Sequence, residues 1–446
     1  MELTFLGGAR EVGRSAILVN DSLLLDYGML AGTPPRFPVS DPDPDAVVVS
    51  HGHLDHAGAI PALLSGDDRP PIHWTPPTRE LAITLAEDTL KLHGNTLRCP
   101  FTETDVRRVR GVSETHGYRD SFAAAGHEVT LYDAGHIPGS AHVLVDDGDT
   151  RLLYTGDFHT ADRRGGDAHA GRTDRSGDPI HGQRLVAGTA VHPDAEAHGA
   201  SSPVPTPQDV DVVVCESTYS DVDHEPRASV EERFVRSVEE TLWEGGTVVV
   251  PAFAIGRTQE LLLVCAAHGI PCYVDGMGKR VTEMLLRHPE FVRDEAALRR
   301  AKSHARFVTG RDGQRKRITD QRAAIVTTSG MLSGGPAMTY IPEIRSNPTN
   351  KITLTGYQVE GTPGRRLLET GSAEIDGRTM RVAARVEQYD FSAHADRGGL
   401  RSVLDAYADC EVLVNHGDRC VAFAAELAAD GVAAVAPAVG ETVSVG

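Results

Sequence analysis

Four potential metal ligands stand within six residues of one another in Ser50-His51-Gly52-His53-Leu54-Asp55-His56, directly after the apolar run 46–49. That spacing constrains the backbone severely. A regular strand sends alternate side chains to opposite faces, and a helix rotates each residue by about 100° from the last. Neither brings His51, His53, Asp55 and His56 inward together. A turn at the end of a buried strand can, because it lets side chains converge from two directions. Imidazole and carboxylate, at about 2.0–2.2 Å, are the ligands zinc takes where cysteine is absent. Two more candidates close apolar runs elsewhere: His136 in AGHIPGSAH, after 129–132, and Asp157 in YTGDF, after 152–154. Asp26 closes LLLDYG in the same way, and is expected to orient ligands rather than to coordinate.

Composition narrows the remaining classes. A chain of 446 residues predicts two or three domains and buries enough surface to fold without disulfides. Its six cysteines are scattered with no C-x-x-C pair, which argues against a thiolate zinc site and a secreted disulfide framework, and predicts a reducing cytoplasm. MELTFLGGAREVG lacks the basic start and apolar run of a signal peptide, and no run of about 18 apolar residues predicts a membrane span. The formal net charge of −19 would repel nucleic acid at ordinary salt. Lysine, however, occurs only at 91, 279, 302, 316 and 351, and arginine supplies the other 39 of the 44 basic residues. An acid-rich, lysine-poor chain resembles proteins of halophilic cells, where molar salt shrinks the Debye length to about 3 Å and leaves only local arginine contacts to act, although a GC-rich genome alone would also replace lysine with arginine. Acidity therefore does not exclude RNA.

Strand-like runs at 2–6, 16–19, 23–26, 46–50, 129–132, 143–145 and 152–155 alternate with helical patterns at 78–92 and 103–110. That density predicts sheets packed together with helices outside. Between 162 and 208 glycine, aspartate, histidine, serine and proline dominate, which predicts a solvated insertion whose histidines (169, 181, 192 and 198) are not metal ligands. A regular βα rhythm follows, with strands at 210–216, 247–251, 272–275, 323–327 and 352–354 and helices at 229–243 and 256–268, and predicts a second domain on a parallel sheet. Strands at 385–391 and 411–415 and helices at 397–407 and 420–429 complete the chain.

HGHLDHAG, AGHIPGS and YTGDF, in that order, resemble the metallo-β-lactamase superfamily. CESTY around Glu216, PAFAIGRTQELL at 251–262, TSGML at 328–332, GYQVEGTPGR at 356–365, FSAHAD at 391–396 and LVNHGD at 413–418 resemble its β-CASP branch, the RNase J-like and cleavage-and-polyadenylation-factor-like ribonucleases. The resemblance implies an αββα sandwich with an inserted α/β β-CASP domain: residues 1–217 and 379–446 forming the sandwich, 218–378 the insert. It implies two Zn2+ per chain, one held by His51, His53 and His136, the other by Asp55, His56 and His416, with Asp157 bridging. It also implies catalytic roles for Asp55, for His394 near the scissile phosphate and for Glu216 orienting it. A histidine at the position of His416 is typical of RNA-acting members, so RNA is the expected substrate, with a DNA nuclease as the alternative. A catalytically silent RNA-binding scaffold should have lost ligands, and all seven stand here. A small-molecule hydrolase of the superfamily needs neither a second domain nor the Glu216, His394 and His416 set.

Ser329, Gly330, Arg365 and Arg366 lie in glycine-rich stretches that can offer amides and guanidinium forks to RNA phosphates. Arg315-Lys316-Arg317 is expected to be a solvated helix face. Archaeal members of the branch often carry KH-type RNA-binding modules ahead of the core. Here the first strand is expected at residue 2, so substrate selection would fall to the core or to partners, whether a second copy of the chain or other RNA-processing proteins.

Overall fold

Strand Leu23–Leu25 shows how the first sheet is built. Leu23 and Leu25 face one way into a shared apolar interior, and Leu24 faces the other way into a layer beneath helices. Strand Val212–Glu216 of the second sheet repeats this, with Val212 and Val214 in the shared interior and Val213 and Cys215 in an opposite layer. Sheets buried on both faces read as continuous apolar runs, and stacking two of them between helices buries both sides. A one-residue slip in register would exchange the faces of every side chain, so each fully buried Leu or Val, worth about 1.5–3 kcal/mol, also pins register.

In the computed structural model all residues are described except 33, 95, 97–98, 161–184, 187–188, 191–203, 206, 208, 311–312 and 376. Contacts divide the chain into two units. The first comprises Met1–Ala161, Val186–Asp223 and Ala393–Gly446 and holds both seven-stranded sheets. One sheet runs, in spatial order, Thr442–Ser444, Glu2–Gly7, Ala16–Val19, Leu23–Leu25, Ala46–Val48, Ile72–Trp74 and Ser113–Thr115. The other runs Ala433–Val435, Glu411–Asn415, Val212–Glu216, Arg151–Tyr154, Ala141–Asp146, His127–Asp133 and Ser121–Ala124. Helices Pro76–His93 and Glu103–Val112 cover the first, and Arg397–Leu404 and Cys420–Ala429 cover the second. This is the αββα sandwich expected. Helix Pro76–His93 begins where its sequence dictates: the Thr75 hydroxyl accepts from the Thr78 amide, and proline occupies the first helical position.

The second unit contains His224–Ser392. Its six-stranded sheet is wholly parallel, in the order Arg306–Phe307, Cys272–Asp275, Ala324–Thr327, Val248–Pro251, Lys351–Leu354 and Arg385–Gln388. Residues 385–388, which the sequence reading assigned to the closing segment of the sandwich, pair with Lys351–Leu354 here. The helix expected over 397–407 stops at Leu404, and Asp405–Tyr407 tightens into a 3-10 turn. Most of the polar stretch 162–208, with its four histidines, lies outside the described residues; within it Thr189–Ala190 pairs in parallel with Val204–Pro205. Arg315 departs from the solvated face expected of its helix, Gln314–Thr319, because its guanidinium reaches the buried Asp275 carboxylate at 2.7 Å. Lys316 and Arg317 are exposed, as expected.

Candidate metal centre

The candidate ligands follow the ends of strands in the first unit, except Asp55 and His56, which lie within the short helix after the first of those ends. The strand Ala46–Val48 stops, the chain turns through Ser50–His53, and the short helix Leu54–Ala57 starts. Strand His127–Asp133 leads to His136, Arg151–Tyr154 to Asp157, and Glu411–Asn415 to His416. Gly156 takes φ +52°, and a Cβ there would lie 2.8 Å from that of Ser50. Only glycine lets the Asp157 loop approach the His51 turn this closely.

The ligands fall into two groups that share Asp157. In the first, His53 Nδ1 lies 3.2 Å from His51 Nε2 and 3.1 Å from His136 Nε2. Asp157 Oδ2 faces the same point, 3.6 Å from His51 and 3.9 Å from His136. In the second, His56 Nε2 lies 3.1 Å from His416 Nδ1. The other Asp157 oxygen, Oδ1, lies 3.2 Å from His56 and 3.3 Å from His416, and Asp55 Oδ2 is 3.7 Å from His416 Nε2. Ligand atoms about 2.0 Å from a tetrahedral cation stand about 3.3 Å apart. The convergence of these nitrogens therefore suits a cation in each group better than it suits hydrogen bonding among imidazoles. Asp157 Oδ1 is also buried with no hydrogen-bond partner among the described residues, a condition a bound ion relieves. The donor set fits two divalent cations.

Electrostatics divides the rings. Burial holds His51 and His136 well below the ordinary imidazole range and lowers His53, so all three present neutral lone pairs. Burial opposes protonation of His56 as well, but Asp157 and Asp26 outweigh it and raise this ring well above its usual range. Asp157 is itself held well below the carboxylate range: burial opposes its ionisation, and His56, His416 and His394 favour it more strongly. Cation binding to the second group would thus expel a proton from His56.

Behind the ligands lies a buried scaffold. Asp26, fully buried with φ +58°, accepts from His56 Nδ1, the Ser50 hydroxyl and the Tyr154 hydroxyl through Oδ2, each at 2.7 Å. Its Oδ1 accepts from the Ser50 amide, also at 2.7 Å. His136 Nδ1 donates to the Ala393 carbonyl at 2.8 Å. His394 stands beside the first group, with Nδ1 3.2 Å from Glu216 Oε1 and 4.0 Å from Asp157 Oδ2. Glu216 is fixed in turn by the amides of Phe158 and Thr218. Burial opposes the charge on His394, yet Glu216 and Asp157 push its pKa up to about 9.

All the ligand candidates, with Asp26, Glu216 and His394, thus meet in one unit. Sequence reasoning missed Ser15, whose hydroxyl lies 3.1 Å from His416 Nδ1, and His159, whose Nδ1 lies 2.9 Å from the His394 carbonyl. His159 stands two residues after Asp157 and was visible on that ground; nothing local marks Ser15. In the second unit, Arg365 and Arg366 pair with Glu369 and Glu374. Ser329 Oγ accepts from the Ser333 amide, and the Gly330 carbonyl accepts from Gln358.

Three family models match the chain: the metallo-beta-lactamase superfamily over residues 10–185, the Beta-Casp domain over 258–367, and the Zn-dependent metallo-hydrolase RNA specificity domain over 379–437. "RNase aCSPSF2" of Saccharolobus solfataricus is 35% identical over 93% of this chain and 79% of its own length. "Probable RNase MJ4" of Methanocaldococcus jannaschii is 31% identical over 94% of each chain. "Transcription termination factor FttA" of the same organism is 30% identical over 95% of this chain and 68% of its own. A solved structure of a protein of unknown function from Enterococcus faecalis V583 aligns over 99% of both chains with a TM-score of 0.59 at 13% identity, a likeness of fold alone. With relatives at this identity and coverage, the chain belongs to the β-CASP branch of the metallo-β-lactamase superfamily.

Proposed function

We propose that this protein is a metal-dependent ribonuclease that hydrolyses phosphodiester bonds of RNA in processing, 3′-end formation or decay, with two zinc ions held as described. One observation carries the two-ion reading: the carboxylate oxygens of Asp157 face different histidine groups, Oδ2 toward His51 and His136, Oδ1 toward His56 and His416. His51, His53 and His136 would hold one ion, Asp55, His56 and His416 the other, and Asp157 both. Bound there, the pair would supply Lewis acidity to the phosphate and acidify water for attack. Asp55, on the rim of the second group, would add a negative charge that favours ionisation of such a water by accepting its proton.

The remaining chemistry belongs to the chain. Asp26 accepts from His56 Nδ1, which turns Nε2 of that ring toward Asp157. Glu216 takes Nδ1 of His394, which leaves Nε2 of that ring to hold the proton passed to the leaving oxygen. The relatives named as RNases and the match to an RNA specificity domain support RNA over DNA as substrate. Arg365 and Arg366, whose ion pairs are exposed to solvent and so only weakly held, exchange their carboxylates for RNA phosphates in this reading, beside Ser329 and Gly330.

The deciding experiment compares wild type with His394→Ala in concentrated KCl, on RNA and matching single-stranded DNA bearing a 5′ monophosphate or triphosphate. Internal RNA fragments that vanish with chelator and fall by about 10²–10⁴-fold in the variant are the expected result for an endonuclease. Mononucleotide release confined to the 5′ monophosphate substrate marks a 5′–3′ exonuclease instead. Protein that binds two zinc ions and cuts neither polymer refutes the reading.

A further inference from the structure

A second group of ligand-type side chains lies in the first unit, at the far edge of the first sheet. Strand Ile72–Trp74 pairs in parallel with the edge strand Ser113–Thr115, in the register His73 opposite Glu114. Pairing continues one residue further, where the His116 amide donates to the Trp74 carbonyl at 2.9 Å. The result brings together His73, Glu114 and His116, from two segments about forty residues apart.

The geometry repeats that of the Asp157 centre. His73 Nδ1 lies 3.0 Å from His116 Nε2 and 3.7 Å from Glu114 Oε2. At the main centre, His53 Nδ1 stands 3.1–3.2 Å from the ring nitrogens of His51 and His136, with a carboxylate oxygen at 3.6 Å from His51. Phe122 fixes both rings: it stacks on His116 with centroids 3.7 Å apart and planes at 10°, and on His73 at 4.9 Å and 22°. Burial lowers the pKa of both imidazoles, so each offers a neutral ring at pH 7. Glu114, largely exposed, supplies the charge a divalent cation requires, and Asp120 adds to the negative field at His116.

We propose that His73, His116 and Glu114 form a separate mononuclear site for a divalent transition-metal cation, which ties the edge strand to its neighbour. Two imidazoles and a carboxylate make zinc the natural occupant, with water completing the coordination. The competing arrangement is a plain hydrogen bond from His73 Nδ1–H to His116 Nε2. Neither arrangement satisfies every atom, since His73 Nε2 is buried without a partner among the described residues: the cation leaves an N–H there, the hydrogen bond a lone pair.

Metal counting separates the two, and does so independently of whether the protein cleaves RNA. Wild type and His116→Gln are stripped with chelator, loaded with Zn2+, desalted, and counted by mass spectrometry. The variant is expected to hold one equivalent fewer, with RNA cleavage unchanged. Co2+ loading should show the same one-equivalent difference in visible absorbance. Glu114→Gln, at a side chain 58% exposed and so safe for the fold, should weaken binding of that equivalent about tenfold or more. Equal zinc content in wild type and His116→Gln overturns the proposal and leaves the hydrogen bond. Should His116→Gln fail to fold, an unaltered zinc affinity in Glu114→Gln overturns it equally.

Discussion

Replacing Asp26 by asparagine keeps shape and volume and removes one negative charge at the root of the metal centre. Asparagine also tolerates the left-handed φ of +58° at this position, so backbone strain does not confound the result. Four donors converge on the carboxylate at 2.7 Å: the Ser50 amide on Oδ1, and Ser50 Oγ, Tyr154 Oη and His56 Nδ1 on Oδ2. An amide can face its single oxygen to only one of these sites. Its better orientation turns the NH2 toward the Ser50 amide and strands that buried N–H, at a cost of about 1–3 kcal/mol. The three bonds that survive change from charge-assisted to neutral, losing about 1 kcal/mol each. After relaxation of the two hydroxyls, a loss of about 3–5 kcal/mol is expected, measured by urea unfolding of the metal-free protein with an unchanged m-value. With His56 no longer held, zinc affinity in competition with a chelator should fall about 10–100-fold. A stability loss below about 1 kcal/mol together with zinc affinity within a factor of two of wild type would refute the account of Asp26 as the anchor of His56.

Asp157→Asn should abolish binding of both ions at the main centre, whereas His51→Ala should release mainly one; equal losses of zinc would count against a shared carboxylate. In metal-free protein, an NMR titration of ¹⁵N-labelled histidine should place His394 near pH 9, and Glu216→Gln should lower it. Because the folded value exceeds the ordinary one, the stability this ring contributes is complete below about pH 6.5 and lost as pH rises through about 9, so the metal-free protein should weaken across that window. In the second unit, the buried Arg227 lies 2.6 Å from Glu231 and 3.1 Å from Glu260, over the ring of Phe391. Arg227→Met takes this cation away from two buried carboxylates, of which Glu260 keeps Arg257 at 2.8 Å, and should cost about 3 kcal/mol in chemical unfolding; a neutral change would mean that Glu231 too is compensated.

Much of the site was legible because its signals are local. His51, His53, Asp55 and His56 are near neighbours in the chain, and His136, Asp157 and His416 each follow an apolar strand, where a turn can present a side chain. Short polar strands were not legible. Ile72–Trp74 and Ser113–Thr115 have three residues each, and the second is wholly polar and at a sheet edge, so periodicity has nothing to register. The closing strand Thr442–Ser444 escaped for the same reason, although it pairs with Glu2–Gly7 at the other end of the chain.

The sequence alone determined which residue types stand at strand ends, and hence the candidate ligands, the layered α/β architecture and the parallel rhythm of the second unit. These depend on side-chain periodicity and turn chemistry, which act over a few residues. Tertiary structure alone decided that Asp157 turns its two oxygens to different histidine groups, that Tyr154 reaches Asp26 across 128 positions, and that His73 meets His116. Those relations follow from register between strands distant in the chain. Register is settled by which faces are buried when the sheets pack, and no local stretch of sequence carries that information.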